Sequence, residues 1–109
     1  MTEQRTAVEQ VRFSQEHFIK GSSLHEKKSF KEAIEIFKES ASVNPDIGNQ
    51  LEMLEKKLVK GSYKLLQKSI AYMGCAANNL YELINRLSEE EKEQVPIDKS
   101  LDKVFQSWE

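Results

Sequence analysis

The stretch KGSSLHEKKSFKEAIEIFKESASVNP, residues 20–45, decides the fold of this chain. From Phe30 to Ala41 its apolar side chains recur at spacings of three and four residues, the spacing of a helix with one buried face. Ser29 can cap this helix at its start, and the sequence NPD ends it. An earlier apolar stripe predicts a first helix that runs to about Lys27. Because almost no linker separates the two helices, we expect an antiparallel pair.

The rest of the chain also predicts helix, because only four Gly and two Pro interrupt it. Thr2 is the expected cap of the first helix, and Asp46 the expected cap of a third that continues for about 25 residues to Ile70. We expect YMGCAANN, residues 72–79, to break that helix before a fourth begins. The capping-box pattern SEEE starts a short segment at Ser88. The apolar side chains of a last, capping helix are Leu101, Val104, Phe105 and Trp108.

Length and composition favour a single helical domain over residues 1–109. Hydrophobic residues make up 39% and charged residues 31%, which is too apolar for a disordered chain. The formal net charge is −2, so no global field attracts the chain to nucleic acid or anionic lipid. The N-terminus lacks a secretory signal, and no window approaches the run of about 18 apolar residues that a membrane span needs. We expect an all-α, intracellular and cytoplasmic protein, built from about five helices in antiparallel hairpins.

A glycine recurs at matching places in two similar stretches. A shift of 40 residues aligns FIKGSSLHEKKSF with LVKGSYKLLQKSI and places Gly21 over Gly61. Glycine inside a helix costs about 1 kcal/mol relative to alanine, so we expect a packing reason for each. The chain around them resembles the tetratricopeptide repeat family, whose pattern is W-x2-L-G-x2-Y, then A-x3-F, then P. The matching residues are Gly21, Leu24, Ala33, Phe37 and Pro45 in a first repeat, residues 14–47, and Gly61, Ala76 and Leu80 in a degenerate second repeat, residues 54–88.

The resemblance implies a binding groove, because in that family the first helices of successive repeats line a groove that holds a segment of another protein. The groove residues it implies here are Gln15, Phe18, Ser22 and His25 from the first helix, and Glu55, Leu58, Ser62 and Leu65 from the third. The Lys and Asn side chains with which some members grip acidic C-terminal tails are replaced by Phe18 and Ser22. An apolar groove should instead prefer the apolar stripe of an amphipathic helix. We therefore expect a non-catalytic adaptor that binds a helical or extended segment of a partner protein.

Two other classes of function and one other architecture stay open at this point. The architecture is a plain helical bundle without repeats. The first function is a structural subunit of a homo- or hetero-oligomer that self-associates through the long third helix. Its seam would consist of Leu51, Leu54, Leu58 and Leu65. The second is nucleic-acid binding by lysines, which we disfavour because Glu52 and Glu55 dilute their charge and no arginine is interleaved with them. These lysines are Lys56, Lys57, Lys60, Lys64 and Lys68.

The sequence carries no motif for catalysis, metal binding or a cofactor. No nucleophile stands beside a base, and KGSS and KGSY lack the flanking glycine of a phosphate loop. His17 and His25 are too far apart to share a metal ion at the usual i, i+4 spacing. Cys75 is the only cysteine, so neither a disulfide nor a thiolate-rich zinc site is expected. We predict that the protein is not an enzyme and that it uses no cofactor.

Overall fold

A computed structural model describes residues 6–44, 48–60, 64–99 and 101 of the chain, and every regular element within them is an α-helix. The all-α fold class is confirmed. The five helices of this part are α1 Ala7–Glu26, α2 Phe30–Ser42, α3 Gly48–Lys60, α4 Leu65–Asn85 and α5 Glu89–Gln94. None of the helices in the described part of the chain is both long and apolar enough to cross a membrane.

The first two helices form the antiparallel pair that the sequence predicts. The cap of α1 is Thr6, not Thr2, because the Thr6 hydroxyl accepts a hydrogen bond of 3.2 Å from the Glu9 backbone N–H. At the other end of α1, Lys28 has a φ of 66° and the chain reverses there. The N–H groups of Lys28 and Ser29 donate to the carbonyls of His25 and Leu24, which is the Schellman arrangement. This arrangement lets α2 begin at once and fold back on α1.

The core lies between α1, α2 and α4, while α3 packs only at the periphery, against α2 and α4. Helices α1 and α4 run antiparallel, because Ser14 of α1 contacts Asn79 of α4 and His25 contacts Ser69. The side chains that fill the centre are at most 1% exposed and include Val11, Phe18, Ala33, Phe37, Ala76 and Leu80. The fourth helix, not the third, therefore completes the core.

The boundary between the third and fourth helices differs from the prediction. The predicted helix of about 25 residues is two helices, since α3 ends at Lys60 and α4 begins at Leu65. The predicted break at residues 72–79 is wrong, because α4 continues through it. Asparagine disfavours helices by bonding to nearby backbone, but the Asn79 amide instead donates to the Ser40 carbonyl of α2, at 3.2 Å. Packing against α2 thus keeps this segment helical.

The described segment after α4 returns along α1. The predicted capping box is confirmed at Ser88, whose backbone N–H donates to the Glu91 carboxylate at 2.9 Å while its hydroxyl accepts from the Glu91 N–H. At the end of α5, the Arg12 guanidinium donates to the Gln94 carbonyl at 2.9 Å. Leu101 is buried in the core. The other apolar residues of the predicted capping helix, Val104, Phe105 and Trp108, lie outside the described residues.

Candidate functional site

The residues that the resemblance places in one groove do not share a surface. Phe18 and Leu58 are 1% and 5% exposed and belong to the hydrophobic core, because each lies on the face that its helix buries. Phe18 is therefore closed to a partner, which corrects its assignment to a groove, whereas Leu58 also lines a cavity between α3 and α4. Leu65 is exposed, but it begins α4 rather than lying on α3. Ser62 lies outside the described residues, and Ser22 is half-buried on α1.

The polar members of that set have partners within the fold. Gln15 donates to the Pro96 carbonyl at 3.2 Å, so it holds the returning C-terminal segment. A ring nitrogen of His25 is hydrogen-bonded to the Ser69 hydroxyl at 2.8 Å. Glu55 forms an ion pair of 3.0 Å with Lys38 of α2. These three side chains connect helices to their neighbours.

The residues expected to pack the repeats lie in the core wherever the structure describes them. A Cβ atom added to Gly21 would lie 2.6 Å from Cε1 of Phe37, so this glycine allows α1 and α2 to approach closely. The four other described members, all fully buried, are Ala33, Phe37, Ala76 and Leu80. Pro45 and Gly61 lie outside the described residues. Close packing of this kind occurs in helical bundles generally, so the tetratricopeptide resemblance stays a prediction.

A groove between α3 and α4 is the candidate site. It consists of two cavities of about 480 and 270 Å³ that share Leu54 and Ala71 in their walls. Its lining residues are Gln50, Leu54, Lys57 and Leu58 from α3, and Gln67, Ile70, Ala71, Gly74, Cys75 and Asn78 from α4. Gln50 faces the Asn78 end of α4 and Lys57 faces the Gln67 end, so the two helices are antiparallel. We call this feature the α3–α4 groove.

Exposed apolar side chains surround the α3–α4 groove. Ile70, in its wall, is 52% exposed, and Leu66 lies one helical turn before it on α4. Met53 is 70% exposed and lies one turn from both Gln50 and Lys57 on α3. Scattered apolar residues are ordinary on a surface, but a contiguous group beside a concavity is typical of an interaction site.

Lysines without a counter-charge lie at one end of the α3–α4 groove. Lys57 lines the groove, and Lys64 and Lys68 are one turn apart where α4 begins. None of these three, which we call the groove lysines, forms an ion pair with a carboxylate of the described residues. The carboxylates of α3 are otherwise engaged, since Glu52 pairs with Lys56 at 3.2 Å and Glu55 with Lys38. This end of the groove therefore carries net positive charge.

The position of α3 is set by a polar contact that crosses three helices. Lys38 of α2 pairs with Glu55 of α3, and its ammonium lies 5.3 Å from the ring centroid of Tyr72 in α4. Burial works to lower the pKa of Lys38, but the hydrogen bond to Glu55 and nearby charges outweigh it, so the pKa is raised. For the Tyr72 phenol, burial works in the opposite direction and raises the pKa. At neutral pH the Lys38 ammonium is therefore charged and the Tyr72 phenol is neutral, and their contacts hold α3 beside the core.

Cys75 lies in the wall of the groove, and burial raises the pKa of its thiol. Because only the thiolate reacts with alkylating reagents, we expect iodoacetamide to modify Cys75 more slowly than glutathione at pH 7.5. The rate should rise with pH through a midpoint above that of glutathione measured in parallel. Mass spectrometry of the intact protein measures the rate, because the chain has one cysteine. A midpoint below that of glutathione would contradict the burial of this thiol.

The lining of the α3–α4 groove suits the binding of apolar side chains by burial. The amides of Gln50 and Asn78 line one end, and the Lys57 ammonium and the Gln67 amide line the other. Within the described part of the chain, no group of three or more His, Cys, Asp and Glu side chains is arranged to hold a metal ion. His17 is engaged elsewhere, with the Phe13 carbonyl at 2.9 Å and with Glu39 at 3.3 Å.

No family model matches the chain, and neither a curated protein nor a solved structure matches it. The resemblance to tetratricopeptide repeats therefore rests on the sequence pattern, which is clearest in the first repeat, residues 14–47. The function of the α3–α4 groove has to be argued from its shape, its apolar lining and its charge.

Proposed function

We propose that this protein is a non-catalytic adaptor that binds a helical segment of a partner protein in the α3–α4 groove. The observation that carries the proposal is the half-exposed side chain of Ile70 in the wall of an apolar groove, with Leu66 beside it on α4. Burial of one such side chain by a partner is worth roughly 1.5–3 kcal/mol. A few anchors of this size support a specific complex.

The shape of the groove favours a helix as the bound segment. From Gln67 to Asn78 the groove follows α4 for about 16 Å at a rise of 1.5 Å per residue. This is about three turns, which matches the apolar anchors of an amphipathic helix at i, i+3, i+4 and i+7. The described residues contain no sheet edge to which an extended strand could be added. Of the helical and extended segments expected from the sequence, the helical one therefore fits better.

The proposal keeps the tetratricopeptide resemblance for residues 14–47. It places the binding surface between α3 and α4 rather than between the first and third helices. The close approach of Gly21 to Phe37 in the α1–α2 hairpin supports the resemblance. The proposed surface lies on α3 and α4, because Phe18 of α1 fills the core instead. A free thiol at Cys75 suits a reducing compartment, so we place the adaptor in the cytoplasm.

Substitution of Ile70 by Glu is expected to abolish partner capture without unfolding the protein. The change places a charge where the partner would bury an apolar side chain, while Ile70 itself is half-exposed in the free protein. Immobilised wild-type protein and Ile70→Glu are compared for capture from an extract of the protein's own cell. We expect at least a tenfold loss of the captured partner and melting temperatures that agree within a few degrees.

The matched control is Ile19→Glu, which makes the same change at an exposed position of α1. It should capture the partner as the wild type does. Equal capture by Ile70→Glu and the wild type would overturn the proposed function. Substitution of Phe18 or Leu58 does not test the groove, because loss of a core side chain destabilises the fold itself.

The oligomeric alternative and the nucleic-acid alternative lose features on which they relied. The seam of the first required one long helix, yet residues 48–60 and 65–85 form separate helices. The lysine stripe of the second is divided by the same break, and Lys56 is paired with Glu52. Light scattering at several concentrations separates the first alternative from the adaptor, which we expect to be a monomer.

A further inference from the structure

We propose that the segment bound in the α3–α4 groove is an acidic amphipathic helix, whose apolar stripe is bordered by Asp and Glu side chains. This inference rests on the proposed function and names the chemistry of the partner segment. It is carried by the charge of the groove rim. The carboxylate clamp of the family resemblance plays no part in it, because that clamp lies elsewhere and its residues are missing here.

The groove lysines supply charge that nothing in the described fold neutralises. Lys57 stands in the wall of the groove, and Lys64 and Lys68 flank Gln67 at the same end. Among the residues that the structure describes, no carboxylate lines the groove. The two acidic residues of α3 pair with lysines outside its walls, Glu52 with Lys56 and Glu55 with Lys38. A helix with lysines beside its apolar stripe would bring like charges together, whereas carboxylates would complement them.

The apolar walls and the charged rim have different roles in this inference. Leu54, Ile70 and Ala71 supply the surface that a partner buries, so they set whether a helix binds. The groove lysines lie at the solvent-accessible rim, where opposite charges steer the approach and select among partners. Exposed ion pairs contribute little each, so three of them are expected to change affinity by roughly tenfold at low ionic strength. Salt should remove this part of the affinity and leave the apolar part.

Three synthetic helices test the preference. Each is a fluorescein-labelled peptide of about 18 residues with leucines at i, i+3, i+4 and i+7, as in known helix-in-groove ligands. The residues beside the leucine stripe are Glu in the first peptide, Gln in the second and Lys in the third. We expect fluorescence anisotropy at low salt to show roughly tenfold tighter binding of the Glu peptide than of the Gln peptide. The Lys peptide should bind more weakly than both. In about 0.5 M salt the affinities of the three peptides should become nearly equal.

Substitution of the three groove lysines by Gln should remove the preference for the Glu peptide and leave the affinity for the Gln peptide unchanged. The matched control replaces Lys20, Lys27 and Lys31, exposed lysines of the α1–α2 hairpin, by Gln. Both variants lose the same charge. Retention of the preference in the control only would place the effect at the groove rather than in the net charge of the protein. Retention in both variants would overturn the inference.

Protection of Cys75 from iodoacetamide shows whether a bound peptide lies in the groove, because this thiol is in the groove wall. If the Gln and Glu peptides both protect Cys75 and bind equally, the acidic preference is wrong while the adaptor function stands. If peptides bind Ile70→Glu as well as they bind the wild type and leave Cys75 reactive, both proposals are wrong. If no peptide binds and light scattering shows a dimer that Ile70→Glu dissociates, the occupant is a second copy of the chain and the inference is overturned.

Discussion

Substitution of Asn79 by Asp is expected to destabilise the protein strongly at neutral pH. Asn79 is fully buried between three helices, and its amide nitrogen donates to the Ser40 carbonyl at 3.2 Å and to the Ser14 hydroxyl at 3.4 Å. The Ser40 hydroxyl in turn donates to the Ser14 carbonyl at 2.7 Å. Asp has the same shape as Asn but puts an oxygen in place of the donor, opposite a carbonyl oxygen. An ionised carboxylate there would be buried without a counter-charge.

The pH dependence of this variant follows from the same burial. Full burial raises the pKa of a carboxyl by about 3–5 units, but pH 7 lies only about three units above the ordinary pKa of about 3.9. At about 1.36 kcal/mol per unit, the stability lost at neutral pH is therefore about 4 kcal/mol. Proteins of this kind have only about 5–15 kcal/mol of stability in total. Because the folded state keeps a proton that the unfolded chain releases above about pH 3.9, stability should fall as pH rises from there toward the raised pKa.

Urea unfolding at pH 4 and pH 7.5, followed by circular dichroism, measures the effect. Asn78→Asp is the matched control, because Asn78 is the exposed neighbour on the same helix. It should change the free energy of unfolding by less than about 0.5 kcal/mol at either pH. If Asn79→Asp were as stable as the wild type at pH 7.5, residue 79 would not be buried away from water between the three helices.

The α1–α2 hairpin could be predicted from the sequence because several local signals agree there. The apolar residues from Phe30 to Ala41 define one face, Ser29 marks the boundary, and the connection is too short for any other arrangement. The capping box at Ser88 was predictable for the same reason, since both of its partners are four residues or fewer apart in the chain. Signals of this kind require no knowledge of what the helix packs against.

The boundary between α3 and α4 could not be placed in this way. Residues 72–79 contain a glycine and two asparagines, which disfavour helix locally, and the prediction put the break there. The hydrogen bonds of Asn79 to α1 and α2 overrule that preference, but they join residues that are 39 and 65 positions apart. Helix α3 ends at Lys60 and α4 begins at Leu65, while Gly61 lies outside the described residues.

The candidate site was missed for a related reason. The sequence identifies apolar residues but not which helix each of them faces. Phe18 and Leu58 were therefore predicted in a groove, although both side chains pack in the hydrophobic core. One signal was available. Helix α4 carries Leu66 and Ile70 in addition to the stripe that contains Tyr72 and Leu80, so it has more apolar surface than one core-facing side needs.

Substitution of Gly21 by Val is expected to cost more stability than any surface change in α1. An added Cβ would lie 2.6 Å from Cε1 and 2.8 Å from Cδ1 of Phe37, well inside the contact distance of about 3.5–4.0 Å between carbon atoms. The Phe37 ring is fully buried and packs against the Phe18 ring at a centroid distance of 5.8 Å, so it has no free space to enter. Overpacking of this kind costs about 1–3 kcal/mol or more.

Thermal and urea unfolding of Gly21→Ala, Gly21→Val and Ser23→Val separates packing from helix propensity. Alanine gains about 1 kcal/mol of helix preference over glycine, so Gly21→Ala should lose less stability than Gly21→Val. Ser23 is exposed on the same helix, and Ser23→Val should stay within about 0.5 kcal/mol of the wild type. Combining Gly21→Val with Phe37→Leu should recover part of the lost stability, because the two sites are in contact and their effects cannot be additive.

If Gly21→Val were as stable as the wild type, α1 and α2 would not approach closely at this position. The packing reason for the glycine, and with it the main support for the repeat resemblance, would then be lost.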